Sequence, residues 1–349
     1  GKTTTTTMTG IMLKECGENP TVLIGGISDY FKGSAVVGKG EYFVIESDEY
    51  DRTFLKLTPT IAVITNLEAE HLDIYADLAD IKQAFVQFAN KVPFYGAVIV
   101  CSDEVNIQHI LPEIHRKVIT YGISSEGAPA AELQATDIHA EQSHSVFTVR
   151  FLGNELGKIN LAVPGLHNVK NALAAVAVGL EIGLEFAAIK AGLEKFSAVR
   201  RRFQIKRGAE QGTMVVDDYA HHPTEVRATL EAAKSGWPDR RVVAVFQPHL
   251  FSRTKDFAED FGEAFTDADV LVVTDVYASR ENALDYEGVS GKLVADAAKK
   301  FGHKNVHYIA EKNKLPEFLK SLATKNDLVI TLGAGDITKF GEAFITLLD

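Results

Sequence analysis

From residue 214 to residue 349, short apolar runs alternate strictly with longer amphipathic stretches. The runs lie at 214–216, 242–246, 270–274, 306–309 and 328–332; the helical patterns lie at 223–234, 255–265, 290–301, 314–323 and 338–347. Runs of three to five residues rich in β-branched side chains are too short for helices, and a helix after each one returns the chain for a parallel strand. The pattern predicts a five-stranded open α/β domain. Such sheets bind ligands at the carboxyl ends of their strands. The first half alternates less regularly: a helix over 2–15, strands at 21–24, 42–45, 61–65 and 97–101, and a helix over 81–94. A mostly parallel sheet with helices on its faces follows. Period-two patterning at 132–163, with Gly153-Asn154 as a turn, reads as a small antiparallel patch, and helices follow at 168–180 and 185–196. The character shifts near 197–202, which divides the 349 residues into 1–199 and 200–349, each large enough for its own core.

Charge narrows the partners. Against 36 basic residues stand 47 acidic ones, a net −11, which argues against a general nucleic-acid or membrane-surface binder but leaves room for a local basic pocket. No apolar run approaches the ~20 residues of a membrane span, so no membrane insertion and a cytoplasmic location are expected. Cys16 and Cys101 are too few for a disulfide framework or a structural zinc site.

The chain opens Gly1-Lys2-Thr3-Thr4 and enters a helix. A glycine loop leading into a helix presents backbone N–H groups and the positive helix end to phosphate; Lys2 would reach the β- and γ-phosphates, and Thr3 or Thr4 would ligate Mg²⁺. The alternative is an ordinary helix start capped by threonines, weakened by five threonines in a row, which are poor helix formers. The strand at 42–45 ends in Glu46-Ser47-Asp48-Glu49-Tyr50-Asp51, an oxygen-rich cluster suited to Mg²⁺ or else a solvated acidic loop. The strand at 61–65 runs on to His71, a second metal-ligand candidate or a surface histidine. If the strands are parallel, all three features share one sheet edge.

His167-Asn168-Val169-Lys170-Asn171 opens the next helix, with Asn168 and Asn171 three apart, able to face one ligand or, for Asn168, to cap. Arg200-Arg201-Arg202-Phe203 is a basic cluster at the boundary, either a phosphate clamp or exposed linker charge. In the second half, Asp217-Asp218-Tyr219-Ala220-His221-His222-Pro223 forms a dense polar strand end, with Pro223 at a helix start. Two adjacent histidines suggest zinc, but the spacing is not that of zinc ligands. The next strand ends Gln247-Pro248-His249-Leu250-Phe251-Ser252-Arg253, where Arg253 can pair with a carboxylate. Leu332-Gly333-Ala334-Gly335-Asp336 is a tight glycine turn between strand and helix or a weak nucleotide motif.

GKTTTTTM, ESDEYD, TNLEAEHLD, PGLHNVKNALAA, RRRFQ, DDYAHHPTE and FQPHLFSRT occur in the order found in the Mur ligases, which this chain resembles over its whole length. The resemblance implies a central ATPase domain followed by a Rossmann-like domain. It also implies ATP-dependent addition of L-alanine to the carboxylate of UDP-N-acetylmuramate through an acyl phosphate, with substrates held by alignment and charge neutralisation. By that resemblance Gly1, Lys2, Thr3 and Thr4 hold the triphosphate, and Thr3, Glu46 and His71 are Mg²⁺-ligand positions. His167, Asn168 and Asn171 contact ATP, Arg202 and Asp218 complete the nucleotide contacts, and Tyr219, His221 and Arg253 receive alanine and the muramoyl group. A monomer or dimer is expected, with no nucleic-acid partner.

Two departures bear on these roles. Leu250 stands where many members have arginine, which removes one anionic contact. The tyrosine in SDEYD resembles the related murein-peptide recycling ligases, which stay open as an alternative, as does a nucleotide-binding piece without ligase activity. A strand leading into Gly1 would sit centrally in the first sheet, and without it neighbouring backbone groups are left unpaired. The chain is therefore expected to fold but not to ligate by itself, and the split nucleotide contacts predict domain closure about a hinge near 197–201.

Overall fold

The computed structural model describes residues 1–70, 74–123 and 130–349, which form two compact units, Gly1–Val199 and Arg200–Asp349. The first unit contains α1 (Lys2–Glu15), β1 (Thr21–Ser28), β2 (Gly33–Val36), β3 (Phe43–Ile45), β4 (Ile61–Ile64), α2 (Leu78–Asn90), β5 (Ala97–Cys101), α3 (Val105–Ile110), β6 (Val118–Ile123), β7 (Leu133–Glu141), β8 (His144–Phe151), β9 (Asn154–Leu161), α4 (Leu166–Glu181) and α5 (Phe186–Leu193). The expected single sheet is instead two sheets. One has the order β2-β1-β3 and the other β4-β5-β6-β7-β8-β9. β4 to β7 run parallel and β7, β8 and β9 antiparallel, which is the expected antiparallel patch. β5, Ala97–Cys101, is buried at every residue, as a parallel strand covered on both faces requires. α1 is held in this core by Met8, Ile11 and Met12, packed in one cluster with Val98, Ile99 and Leu173.

The second unit contains β10 (Gln204–Arg207), β11 (Met214–Asp218), α6 (Pro223–Gly236), β12 (Arg241–Phe246), α7 (Phe251–Asp256), α8 (Ala258–Ala264), β13 (Val270–Thr274), α9 (Lys292–Lys300), β14 (Val306–Ile309), α10 (Leu315–Leu322), β15 (Asp327–Leu332) and α11 (Ile337–Leu348). Its sheet order is β10-β11-β15-β12-β13-β14. Alternation of side chains divides it cleanly. Val242, Ala244 and Phe246 of β12 join Val226, Phe261 and Val294 on one face, while Val243 and Val245 join Leu315, Ile337 and Phe344 on the other.

Two expectations need correction here. The sheet has six strands, because Gln204–Arg207 adds an antiparallel edge against β11; with polar alternate residues and Ile205 exposed, it shows no apolar run. The helix expected over 255–265 is two helices broken at Phe257, whose φ of −113° leaves the helical range and whose ring packs against His222. At this edge Lys206 pairs with Glu342 and Arg207 lies 3.5 Å from the C-terminal residue Asp349, so the sheet's first strand adjoins the last helix.

Chain reversal locates the ligand-binding ends. The path goes from β11 past β15 to β12, outward through β13 and β14, and back to β15. The loops after β11, β15 and β12 therefore meet at a topological switch, the preferred ligand crevice of an open sheet.

Candidate active site

In the first unit, α1 begins where β3 and β4 end. Lys2 Nζ donates to Glu49 at 2.6 Å and to Asp48 at 3.2 Å. Burial alone would lower the lysine's pKa, but the two carboxylates outweigh it and hold the ammonium above its usual range. Thr3, rather than Thr4, supplies the hydroxyl that meets the acidic strand end. Its Oγ1 donates to Glu46 Oε1 at 2.7 Å, and Glu46 Oε2 accepts the Gly25 N–H at 2.5 Å. Thr4 is buried in the same turn.

Two glycines that the sequence reading passed over make this approach possible. A Cβ on Gly25 would stand 2.9 Å from Glu46 Oε1, and one on Gly26 would stand 3.0 Å from the Thr3 methyl. Consecutive glycines inside a strand were the available signal, since they mark close approach.

The acidic loop is built rather than merely solvated. Tyr75 Oη donates to the Glu49 carbonyl at 2.7 Å, Arg52 lies over the Tyr75 ring at 4.6 Å, and Arg52 pairs with Asp80.

α4 brings its asparagines to the same place. Both are buried. Asn171 Oδ1 accepts from Thr5 Oγ1 at 3.1 Å, and Asn171 Nδ2 donates to Asn168 Oδ1 at 3.4 Å. Asn168 is not the cap, because Gly165 takes that place and the Asn168 amide bonds to the Pro164 carbonyl at 2.7 Å. A Cβ on Gly1 would lie 2.6 Å from Asn171 Oδ1, so Gly1 packs directly against this pair. His167 is half-buried at the start of the helix. His71 lies outside the described residues. Gly1, Lys2, Thr3, Glu46, Asn168 and Asn171 thus converge at one helix N-terminus, a setting for a polyphosphate.

The second unit gathers its residues at the switch. The arginine cluster divides by role. Arg201 bonds to buried Asp217 at 3.1 Å and to the carbonyls of Gly335 and Gly333 at 3.1 and 2.5 Å, which fixes the glycine turn. Arg202 lies 5.1 Å over the Tyr219 ring, with Arg201 5.0 Å from the same ring. Asp218 is buried and accepts the N–H groups of Phe203 and Ala220 at 2.7 and 2.8 Å. Burial raises its pKa to about 6 against the opposing pull of Arg202 and those two N–H groups.

His221 lies 2.9 Å from the Tyr219 carbonyl and 3.2 Å from Glu225, edge-on to both Tyr219 and His249. His249 stacks on Tyr277 at 5.8 Å, and its Nδ1 is 3.4 Å from Arg253 Nη1. Burial, reinforced by His221, Arg253 and Arg280, pushes the His249 pKa down to about 4. The ring is neutral at pH 7 and can accept from the buried guanidinium of Arg253.

Leu250 is buried, with a φ of 69°, and its N–H bonds to the Tyr277 carbonyl. Tyr277 was not foreseen, and Asp336 only as the end of the glycine turn. Gln247 reaches Asp336 at 2.8 Å and Lys312 reaches it at 2.7 Å, contacts between residues more than 20 apart that no local pattern announces. Among the described residues no group of three His, Cys, Asp or Glu side chains is arranged for a metal. The zinc reading of the histidine pair gains nothing there, and His222 packs on Phe257.

Comparison with known proteins places this geometry. The Mur ligase middle domain matches residues 1–179, and the Mur ligase glutamate ligase domain matches residues 201–335. The UDP-N-acetylmuramate–L-alanine ligase of Pelodictyon phaeoclathratiforme is 54% identical over 338 residues, 97% of this chain and 70% of that protein. Among solved structures, the UDP-N-acetylmuramate-alanine ligase of Thermotoga maritima superposes with a TM-score of 0.80 at 31% identity, over 99% of this chain and 73% of its own. The murein peptide ligase of Psychrobacter arcticus gives 0.70 at 25% identity, over 100% of this chain and 75% of its own.

Proposed function

Because the chain belongs to the Mur ligase family, we propose that it carries out the ATP- and Mg²⁺-dependent joining of L-alanine to the carboxylate of UDP-N-acetylmuramate, in cytoplasmic peptidoglycan precursor synthesis. The observation that carries this reading is the 54% identity, over nearly the whole chain, to a ligase of that name. The first unit is the ATP-binding domain and the second the ligase domain that receives the amino acid.

The chemistry on this reading is phosphoryl transfer to the muramate carboxylate, attack of the alanine amine on the resulting acyl phosphate, and departure of phosphate. The N–H groups at the start of α1 and the ammonium of Lys2 hold the phosphates. Lys2 leaves Glu49 and Asp48 to do so. The hydroxyl of Thr3 and the carboxylate of Glu46, 2.7 Å apart, are hard oxygen donors that fit Mg²⁺. When bound, the ion would neutralise phosphate charge. Asn168 and Asn171 fix the base of the site, and Asp218 accepts from a nucleotide hydroxyl. Arg253, with its guanidinium set by neutral His249, holds a substrate carboxylate, and His221 and Tyr219 border the amino acid.

No helix among the described residues is long and apolar enough to cross a membrane. The test is an exchange in which this chain replaces the matching segment of the Pelodictyon ligase. L-alanine-dependent phosphate release from Mg·ATP and UDP-N-acetylmuramate is expected. Release with a murein-type tripeptide whose N-terminal amine is free, but not with alanine, would move the assignment to the recycling ligases, the reading that Tyr50 favours.

A further inference from the structure

On the reading above Arg253 holds a substrate carboxylate, and it does so from α7, Phe251–Asp256, the shortest α-helix of the second unit. Six residues are fewer than two turns, and a helix of that length has no stability of its own in water. Its place must therefore be imposed from outside. The residue before it, Leu250, offers no side-chain acceptor to the N–H groups of the first turn. Leucine at 250 also leaves Arg253 as the single arginine in residues 247–256, so its placement decides what the loop after β12 can hold.

The cap comes from Glu281, in the loop after β13. One carboxylate oxygen, Oε2, accepts the N–H groups of Phe251 at 2.5 Å and Ser252 at 3.1 Å, and the other, Oε1, accepts from the Ser252 hydroxyl. Tyr286 braces carboxylate and helix together. Its Oη lies 3.4 Å from Oε1, and its ring stacks on Phe251 at 5.7 Å. Backbone pairing closes the same junction, since the Tyr277 N–H donates to the Pro248 carbonyl at 2.8 Å and the Leu250 N–H to the Tyr277 carbonyl at 3.0 Å. Glu281 is itself set by a turn in which its N–H donates to the Ala278 carbonyl at 2.9 Å and Ser279 takes a φ of 52°.

We infer that Glu281 is a positioning residue for the amino-acid end of the reaction: it holds the first turn of α7 from the loop after β13 and so sets the Arg253 guanidinium against His249 and the substrate carboxylate. The inference deepens the ligase reading and rests on it for the identity of that carboxylate. Arg253 is 9% exposed, and its Nη1 lies 3.4 Å from His249 Nδ1, near the outer limit for a hydrogen bond. A displacement of α7 by roughly 1 Å breaks that contact and takes the guanidinium off the line that a carboxylate needs. The capped N–H groups are also closed to the substrate. Glu281 occupies them, so an incoming carboxylate is directed to the guanidinium and not to the helix end. Removing the cap loses both effects while Arg253, His249 and the sheet core all stay in the chain.

The experiment joins spectroscopy on the 349-residue chain to kinetics on the exchange ligase described above. In the chain labelled with ¹⁵N-arginine, the Nε–H resonance of Arg253, assigned by its loss in Arg253→Lys, should move in Glu281→Ala. It should return most of the way in Glu281→Gln, which keeps an acceptor. Ser252→Ala removes only the hydroxyl donor and should move the resonance in the same direction by less, a reading that does not depend on Glu281→Ala folding. Urea unfolding followed by Trp237 fluorescence checks that the second unit of each variant is folded. In the exchange ligase, Glu281→Ala should raise the KM for L-alanine about ten-fold, with kcat held within about two-fold and the KM for ATP unchanged. In an Arg253→Ala background the same substitution should add less than about two-fold, because a residue that acts through Arg253 has nothing left to position. Effects of the two substitutions that multiply in full, an unmoved Arg253 resonance, or a loss shared equally by both KM values would overturn the inference. A resonance that moves beside an Arg253→Ala ligase with unchanged alanine KM would instead overturn the substrate reading of Arg253 and leave the positioning standing.

Discussion

Replacing Asp218 by asparagine should change how the stability of the second unit depends on pH. Asp218 is buried at the end of β11, and its carboxyl titrates at about 6, against about 3.9 for an unfolded aspartate. The folded-state pKa lies above the unfolded one, so the folded unit binds this proton more tightly. Its stabilising contribution is complete below the unfolded pKa and is lost as pH rises through 6. Two pKa units correspond to about 3 kcal/mol, of which about 2 kcal/mol should appear between pH 7.5 and pH 4. Asparagine removes the titration and keeps one acceptor. It leaves either the Phe203 or the Ala220 N–H facing an amide, a roughly constant cost of about 1 kcal/mol.

Trp237 is the single tryptophan, and it stacks on Phe203 at 5.6 Å, so its fluorescence reports on this segment. Urea unfolding of both proteins at several pH values gives the difference directly. The stability of the natural protein relative to Asp218→Asn should rise by about 2 kcal/mol as pH falls from 7.5 to 4. A difference that stays level across that range would refute the argument, because the buried carboxyl would then not be the group that titrates.

Glu49→Gln should tighten Mg·ATP binding three- to ten-fold by calorimetry, since Lys2 then gives up a weaker partner than a carboxylate at 2.6 Å; weaker binding would show that Glu49 helps hold the nucleotide. Arg253→Ala should lower ligation mainly through substrate affinity, by about 2–5 kcal/mol if the charge pair is desolvated, and unchanged alanine saturation would remove Arg253 from the site. The ring protons of His249 should show no titration by NMR between pH 5.5 and 8, because burial and neighbouring cations hold its pKa near 4; a midpoint near 6.5 would mean that the ring does not accept from Arg253.

The alternation of strands and helices was readable because buried parallel strands are apolar at nearly every position, as in Ala97–Cys101. Two strands at sheet edges, β2 and β10, were not. β2 and β10 have no fully buried residue, and without a covered face nothing selects an apolar run. Within the site, residues next to strand ends were legible because topology alone collects them: Lys2, Glu46 and Asn171 in one unit, Asp218, His221 and Arg253 in the other. The split between Arg201 and Arg202 was not legible. Both are arginines in one cluster; Asp217 and the carbonyls of Gly333 and Gly335, the latter over 130 residues away, make Arg201 a brace, while Arg202 lies over the Tyr219 ring. Tyr277 escaped for the same reason, since its stacking on His249 depends on how the loops after β12 and β13 meet.

The meeting of β10 with the end of α11 has a consequence for how the second unit can be handled. Arg207 lies beside Asp349, and Lys206 beside Glu342, so the unit closes on itself near its own two ends. Gln204–Arg207 is extended over roughly 10 Å, and a turn at 201–203 precedes it. A linker of about eight residues can therefore join Asp349 to Arg201, and new termini can be opened at an exposed turn such as Glu210–Gln211. The unit is in that sense permutable. Its sheet order belongs to the packing of its layers and does not depend on the point at which synthesis enters it.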